Sequence, residues 1–228
     1  MNVKTGAIIL QKVSWKESSY IATLMTDKFG IIKAIVQGAK KPKSKFFSHF
    51  EIGNILELVL IKKDTTLSKI TDSTLLSSYQ QNDITLTYEQ LLSLQITLET
   101  YSQLYITEDE ADLFFDLLAS FIDYLPSVKA NHLLVNWRLM IRLSEYLGFP
   151  MVFIKNNKYE LADPTEIKNI DIVQKWLGIL PNTGELIKHE NILDLSIHEM
   201  NMFVFEWFAR HLQKKMKMNA VLLYEGLL

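Results

Sequence analysis

Apolar and polar residues alternate over the first third of the chain and recur at intervals of three and four over the rest. The runs TGAIILQKV, YIATLMT, IIKAIVQG, IGNILELVLIKK and TTLSKITDSTLLSSY are rich in β-branched residues and are divided by polar or glycine-bearing breaks, which predicts five short strands. In the fourth run Ile55, Glu57 and Val59 face one way and Leu56, Leu58 and Leu60 the other. DKFG, ending at Gly30, suits a hairpin turn between the second and third strands. Five short strands at this spacing predict a small closed sheet of the OB type.

After Tyr79 the period changes. Leu91, Leu94, Leu98, Tyr101, Leu104 and Tyr105 mark a helix between Leu86 and Tyr105. TEDEADLFFDLLASFIDYL opens on Thr107 with Glu110 three residues on, the pattern of a capping box, and ends before Pro126. NHLLVNWRLMIRLSEYLGF reads as a third helix stopped by Gly148 and Pro150. MVFIKNNKYEL has the pattern of a short hairpin around Asn156 and Asn157. DPTEIKNIDIVQKWLG places Pro164 near a helix start and Gly178 at its end, and SIHEMNMFVFEWFARHLQKKMK reads as a final long helix. The expected fold class is α+β: a five-stranded OB-type barrel over residues 1–79, followed by a mostly α-helical domain over residues 80–228.

Composition narrows the chemistry. The chain has no cysteine, which removes disulfides, thiolate zinc sites and cysteine nucleophiles together and fits a reducing cytoplasm. No apolar run reaches the roughly 18 residues of a membrane span, so no membrane is expected as a partner. MNVKTGAIIL lacks the apolar stretch and cleavage site of a signal peptide. There is no glycine-rich phosphate loop, dinucleotide fingerprint or nucleophile elbow, and the histidines at 49, 132, 189, 198 and 211 have no metal-ligand spacing. The carboxylates of TEDEAD suit a helix start without catalysis. A non-enzymatic protein with no cofactor and no structural metal is expected.

Charge is unevenly spread. Residues 1–69 carry a balance of +7, residues 70–128 a balance of −10 with no Lys or Arg, and residues 129–228 a balance of +1. The division suggests two modules with different electrostatic tasks. From Lys28 to Phe50 there are six lysines and no acid. Lys40, Lys41, Lys43 and Lys45 follow the third strand around Pro42, so they belong to a loop at the edge of the small sheet, with Lys33 on the strand itself. Ammonium groups that neutralise phosphates release counterions and give affinity for any sequence. Phe46 and Phe47 can stack on unpaired bases, although the barrel core is the natural place for at least one of them. Lys33, Lys40, Lys41, Lys43, Lys45 and Phe46 are the predicted DNA contacts.

The stretch GAIILQKVSWKESSYIATLMTDKFGIIKAIVQGAKKPKSKF resembles the N-terminal region of the RecO family of bacterial recombination mediators. Ala7–Leu10 matches the family's first strand, Glu17–Ser18 its ES dipeptide, Thr26–Gly30 its T-x-x-x-G, and Gly38–Phe46 its G-A-[RK]-[RK]-P-K-S-[RK]-F. RLMIRLSEYLGF, Arg138–Phe149, is similar to the family's central helix, and WFARHLQKKMKM resembles its C-terminal pattern more weakly. The resemblance implies an OB-fold followed by a helical domain, binding of single- and double-stranded DNA, and annealing of complementary strands. It also implies a partnership with RecR and loading of the RecA recombinase onto DNA coated with single-strand-binding protein. Many members carry a four-cysteine zinc module after the central helix; this chain has no cysteine and shows a hairpin pattern there instead, so no zinc site is expected.

In the second half, Arg138 and Arg142 stand four apart on one helix face, beside a row of Leu139, Leu143 and Leu147. The resemblance implies a partner, single-strand-binding protein, whose acidic tail ends in an apolar residue and a carboxylate. An arginine fork holds such a carboxylate through two parallel hydrogen bonds. Pairing of either arginine with acids of residues 108–123 is the alternative. Arg210, Lys214, Lys215 and Lys217 form a secondary basic patch. The expected location is cytoplasmic, with the nucleoid. Two other functions fit the same pattern: an OB-containing adaptor that binds proteins through acidic residues 70–128, and an RNA-binding factor. Salt-dependent binding to unstructured DNA separates the first reading from the adaptor, and competition between DNA and RNA separates it from the third.

Overall fold

The structure is a computed structural model and describes residues 2–62, 67–78, 86–128, 132–155, 158–163, 170–179, 197–217 and 219–226. Five strands open the chain: β1 (Asn2–Trp15), β2 (Ser19–Thr26), β3 (Gly30–Val36), β4 (Ile55–Ile61) and β5 (Ser68–Ser77). They pair in the order β1-β2-β3-β5-β4, with β4 returning to β1, so the sheet closes on itself. β1 serves two neighbours: Asn2–Ile8 pairs with β4, and Ala7–Trp15 pairs with β2. A register shift between Ile9 and Gln11 bends it from one partner toward the other. β3 meets β5 in parallel at Ala34↔Ser68 and Ile35↔Lys69, which completes an OB-type ladder.

The predicted alternation is realised inside this sheet. Ala7, Ile9, Ala22, Leu24, Ala34, Val36, Leu56 and Leu58 are buried together, and the rings of Phe46 and Phe50 join them. The three alanines face inward where aromatic rings must fit, the small-beside-large arrangement that a narrow barrel requires. At the β2–β3 turn the Thr26 hydroxyl accepts from the Phe29 N–H at 3.0 Å and donates to the Gly30 carbonyl at 2.9 Å. The threonine of the T-x-x-x-G pattern therefore closes the turn that the glycine makes.

Helices α1 (Tyr88–Tyr101) and α2 (Ala111–Tyr124) follow. Residues Met1–Ser127 form one compact unit, so both helices belong with the sheet, and this packing boundary lies well beyond the strand-to-helix change near residue 79. Packing explains the difference: Phe114, Leu118 and Phe121 of α2 are buried, and the Tyr101 hydroxyl reaches the Phe114 carbonyl at 3.3 Å. Burial also pushes the Tyr101 phenol far above its usual range. The capping box expected at Thr107 and Glu110 does not form. The Thr107 hydroxyl is given to the Glu110 carboxylate at 2.9 Å, and Glu108–Glu110 makes a 3-10 turn ahead of α2. The capping box lies instead at α1, where Thr87 and Gln90 bond each other's backbone N–H groups.

The second compact unit, Val128–Leu228, holds α3 (His132–Tyr146), a hairpin of β6 (Val152–Lys155) and β7 (Lys158–Leu161), α4 (Ile170–Ile179), α5 (Ile197–His211) and α6 (Asn219–Glu225). α3 stops where predicted. Gly148, at φ +81°, sends its N–H to Glu145, and Phe149 sends its N–H to Ser144, the paired bonds of a Schellman motif. Asn156, Asn157 and Pro164 fall outside the described residues, and Gly178 lies in the last turn of α4. Trp137 and Trp176 meet edge to face at 4.8 Å in the core of this unit. The final helix is shorter than its pattern. It ends at His211, the chain turns at Gln213 (φ +51°), and α6 follows.

Candidate nucleic-acid interface

The connection from β3 to β4, residues 37–54, is a run of tight turns. Lys41 N–H bonds Gly38 O at 3.1 Å, Ser44 N–H bonds Lys41 O at 2.8 Å, and Phe47 N–H bonds Ser44 O at 3.1 Å. Both ends are tied to β1 or its hairpin. At the start, Lys40 N–H donates to Ser18 O at 3.0 Å and its ammonium donates to Lys16 O at 3.1 Å. At the finish, Gly53 N–H donates to Ile9 O at 2.8 Å, and Ile9 N–H donates to Asn54 O at 3.2 Å. Between them Phe46 and Phe50 turn inward and pack edge to face at 5.9 Å. A loop that would otherwise be free in water is thus pinned at both ends and in its middle.

Phe46 is the correction here. It was predicted to touch DNA, but it is only 7% exposed and sits in the barrel core. The next ring, Phe47, is 52% exposed and faces solvent. Burying Phe46 stabilises the fold by more than an exposed ring could contribute, because the alanine-lined interior has room for it.

The predicted lysines divide by environment. Lys41 and Lys43 are exposed and make no ion pair among the described residues. Lys45 pairs with Asp72 at 2.6 Å, and this hydrogen bond, with that of the Ser73 N–H, holds the Asp72 carboxyl below its ordinary value. Lys40 and Lys12 each hold an ammonium 5.2 Å from the centre of the Tyr20 ring, and Lys12 also pairs with Glu51 at 2.6 Å. Lys33 is exposed on β3, in register with Thr23, which is in register with Gln11. Among the predicted lysines, those both exposed and outside an ion pair are therefore Lys41 and Lys43 on the loop and Lys33 on the strand beyond.

Trp15 was missed. β1 runs two residues further than its sequence pattern indicated, and its last residue is a tryptophan that is 45% exposed. The signal was present as continued alternation, Val13 then Trp15, ahead of the polar KES. Lys16, at φ +53°, makes the turn.

In the second unit, Arg142 is exposed, with its guanidinium 3.5 Å from the Tyr146 hydroxyl, and Arg138 is half-buried. Leu139 and Leu143 are buried, so they do not form an open apolar row beside the arginines; the 3.6-residue period turns them to the interior. Arg210, Lys214, Lys215 and Lys217 are all exposed, but the turn at Gln213 separates Arg210 from the lysines, so they do not share one helical face. Among the described residues no group of three or more acids and histidines is placed to hold a metal ion.

The strand order and the lysine-bearing β3–β4 connection define an OB-type domain with a cationic rim, flanked by helices. Residues 1–79 match the family model described as Recombination protein O N terminal, so the first unit carries the N-terminal domain of that family. It is 35% identical to the DNA repair protein RecO of Chloroherpeton thalassium over 153 residues, 67% of this chain and 58% of that protein. It is 31% identical to the DNA repair protein RecO of Chlorobium limicola over 150 residues, 65% of this chain and 57% of that protein. With the protein of the same name from Rickettsia bellii it shares 23% identity over 190 residues, 83% and 72% of the two chains. The chain thus spans less than two thirds of the length of the first two relatives.

Proposed function

We propose that this chain is a non-enzymatic mediator of DNA repair and recombination that holds DNA on the β3–β4 lysine loop. The observation that carries this reading is the pinned loop with Lys41 and Lys43 directed into solvent without an ion pair among the described residues. Such a surface neutralises phosphates on single- and double-stranded DNA alike, because counterion release is indifferent to sequence. Bringing two neutralised strands together is what annealing requires. The RecO N-terminal domain and the similarity to DNA repair proteins RecO support a repair role.

RecR, single-strand-binding protein and loading of RecA onto coated DNA belong to the same reading, as does a place in the cytoplasm with the nucleoid. For the acidic tail of single-strand-binding protein, Arg142 is the exposed cation and Arg138 its half-buried neighbour. The tail's apolar end would rest on the half-exposed Tyr146 and Leu147 rather than on Leu139 and Leu143. No cofactor enters the scheme. The test is annealing of complementary strands coated with single-strand-binding protein. The chain should speed it, and Lys41→Ala with Lys43→Ala should abolish the gain. A parent chain that neither anneals such strands nor binds unstructured DNA at low salt would rule the reading out.

A further inference from the structure

The proposed reading treats paired and unpaired DNA alike, because lysines do. The outer face of the barrel near the β1–β2 hairpin does not. There the register sets Val13 beside Ile21, Ile21 beside Ile35, and Ile35 beside Lys69. Val13 is 56% exposed and Trp15, one step further along the same side of β1, is 45% exposed. At the opposite end of this face Ile8 and Met25 also point out of the barrel, yet both are fully buried where α1 and α2 pack on the sheet. One end of the outer face is therefore covered by the chain's own helices and the hairpin end is left open.

Charge indicates what occupies the open end. Lys16, Lys33 and Lys69 are exposed around it, and among the described residues none of the three is in an ion pair. Glu17 is the one acid of the hairpin tip. Lys40 bonds the carbonyls of both Lys16 and Ser18, so the hairpin that carries Trp15 and the loop that carries Lys41 and Lys43 are held as one piece. An exposed indole on a tethered hairpin amid cations suits a ligand that has both phosphates and accessible aromatic faces. Unpaired DNA has both, whereas a duplex hides its base faces in the stack.

We infer that Trp15 is a stacking platform for an unpaired base and that it sets the preference of this surface for single-stranded over double-stranded DNA. The inference rests on the proposal that the lysine loop binds DNA. The lysines supply affinity for either form, and the indole adds a term that only an unstacked base can satisfy.

The test uses the full chain with a fluorescein-labelled oligothymidylate and a blunt duplex of equal length. Trp15→Ala should weaken oligothymidylate binding by about fivefold to a hundredfold, the range of one base–aromatic stack, and leave duplex binding and its salt dependence unchanged. Trp15→Phe should retain most of the affinity. A second measurement needs no variant. Trp137, Trp176 and Trp207 are buried, so acrylamide quenching of the parent reports on Trp15. Oligothymidylate should protect it and the duplex should not. Equal loss on both DNAs, no loss on either, or equal protection by both would overturn the inference. Failure of the parent to bind either DNA would instead refute the underlying proposal.

Discussion

Gly30 lies against the backbone carbonyl of Ile106 so closely that a Cβ on residue 30 would stand 2.1 Å from the oxygen. Gly30 also has φ +63°, a conformation that side-chain-bearing residues adopt only under strain. The β2–β3 turn is thereby wedged beneath the segment between α1 and α2. Two independent penalties meet at one atom, and the neighbour is backbone, which cannot swing aside. Gly30→Ala should destabilise the first unit by about 2–4 kcal/mol, seen as a lower urea midpoint. An unshifted midpoint would mean that the segment at Ile106 gives way freely.

The four lysines of the loop should not contribute equally. Each phosphate neutralised on a single strand adds about 0.7 to the log–log salt slope, so Lys41→Ala with Lys43→Ala should flatten it by about 1.4. Lys45→Ala should change it less, because Asp72 already pairs with that ammonium. Asp72→Asn should then raise DNA affinity by freeing Lys45. A titration of binding against salt for the parent and three variants checks the ranking, and a Lys45→Ala effect more than half that of the double variant would contradict it.

Phe46 and Phe47 are adjacent and chemically identical, yet they should respond oppositely. Phe46→Ala empties a ring from the barrel core and should cost about 3–5 kcal/mol, whereas Phe47→Ala on the surface should stay within about 0.5 kcal/mol. Thermal unfolding of both variants distinguishes them. Similar melting temperatures would place the two rings in similar surroundings.

These two phenylalanines also mark how far the sequence could be read. A barrel was legible because alternation persists wherever one face is buried, as at Ile55–Leu60, and so was the lysine loop, because charge density is a local property. Which phenylalanine enters the core is not local. It depends on Ala7, Ala22 and Ala34 leaving space, and that is known only once the strands are in register. The start of α2 was misjudged for a related reason: Thr107 and Glu110 satisfy the capping pattern, but their side chains bond each other instead of the backbone. The end of α5 carried no signal, since its left-handed residue is Gln213 where a glycine would have shown. Met216 continues the apolar pattern past the break because it is itself buried.

Asn201 joins three helices of the second unit. Its Oδ1 accepts from the buried Trp137 Nε1 at 2.8 Å, and its Nδ2 donates to Glu225 Oε1 at 2.9 Å. Asn201→Leu leaves the indole N–H in the interior without that acceptor and should cost about 1–3 kcal/mol. Urea unfolding of the variant measures the loss, and a neutral result would mean that water or another acceptor reaches the indole.

The same carboxylate makes the docking of α6 depend on pH. Glu225 Oε2 lies 3.0 Å from His198 Nδ1 on α5, and this hydrogen bond, more than the charge of Glu225 or of Glu199, raises the His198 pKa above its ordinary 6.5. A raised folded-state value means that the imidazolium is favoured when α6 is in place. The contribution is therefore fully present below pH 6.5 and is lost as pH rises through the raised value. The pair is solvent-exposed on the histidine side, so screening keeps the effect small and local to α6 rather than global. Amide exchange protection of Val221 to Leu223, corrected for intrinsic rates, should hold steady below pH 6.5 and fall as the pH is raised above it. In His198→Gln that fall should vanish while α5 stays protected. A fall of the same size in the variant would assign the pH dependence to another group.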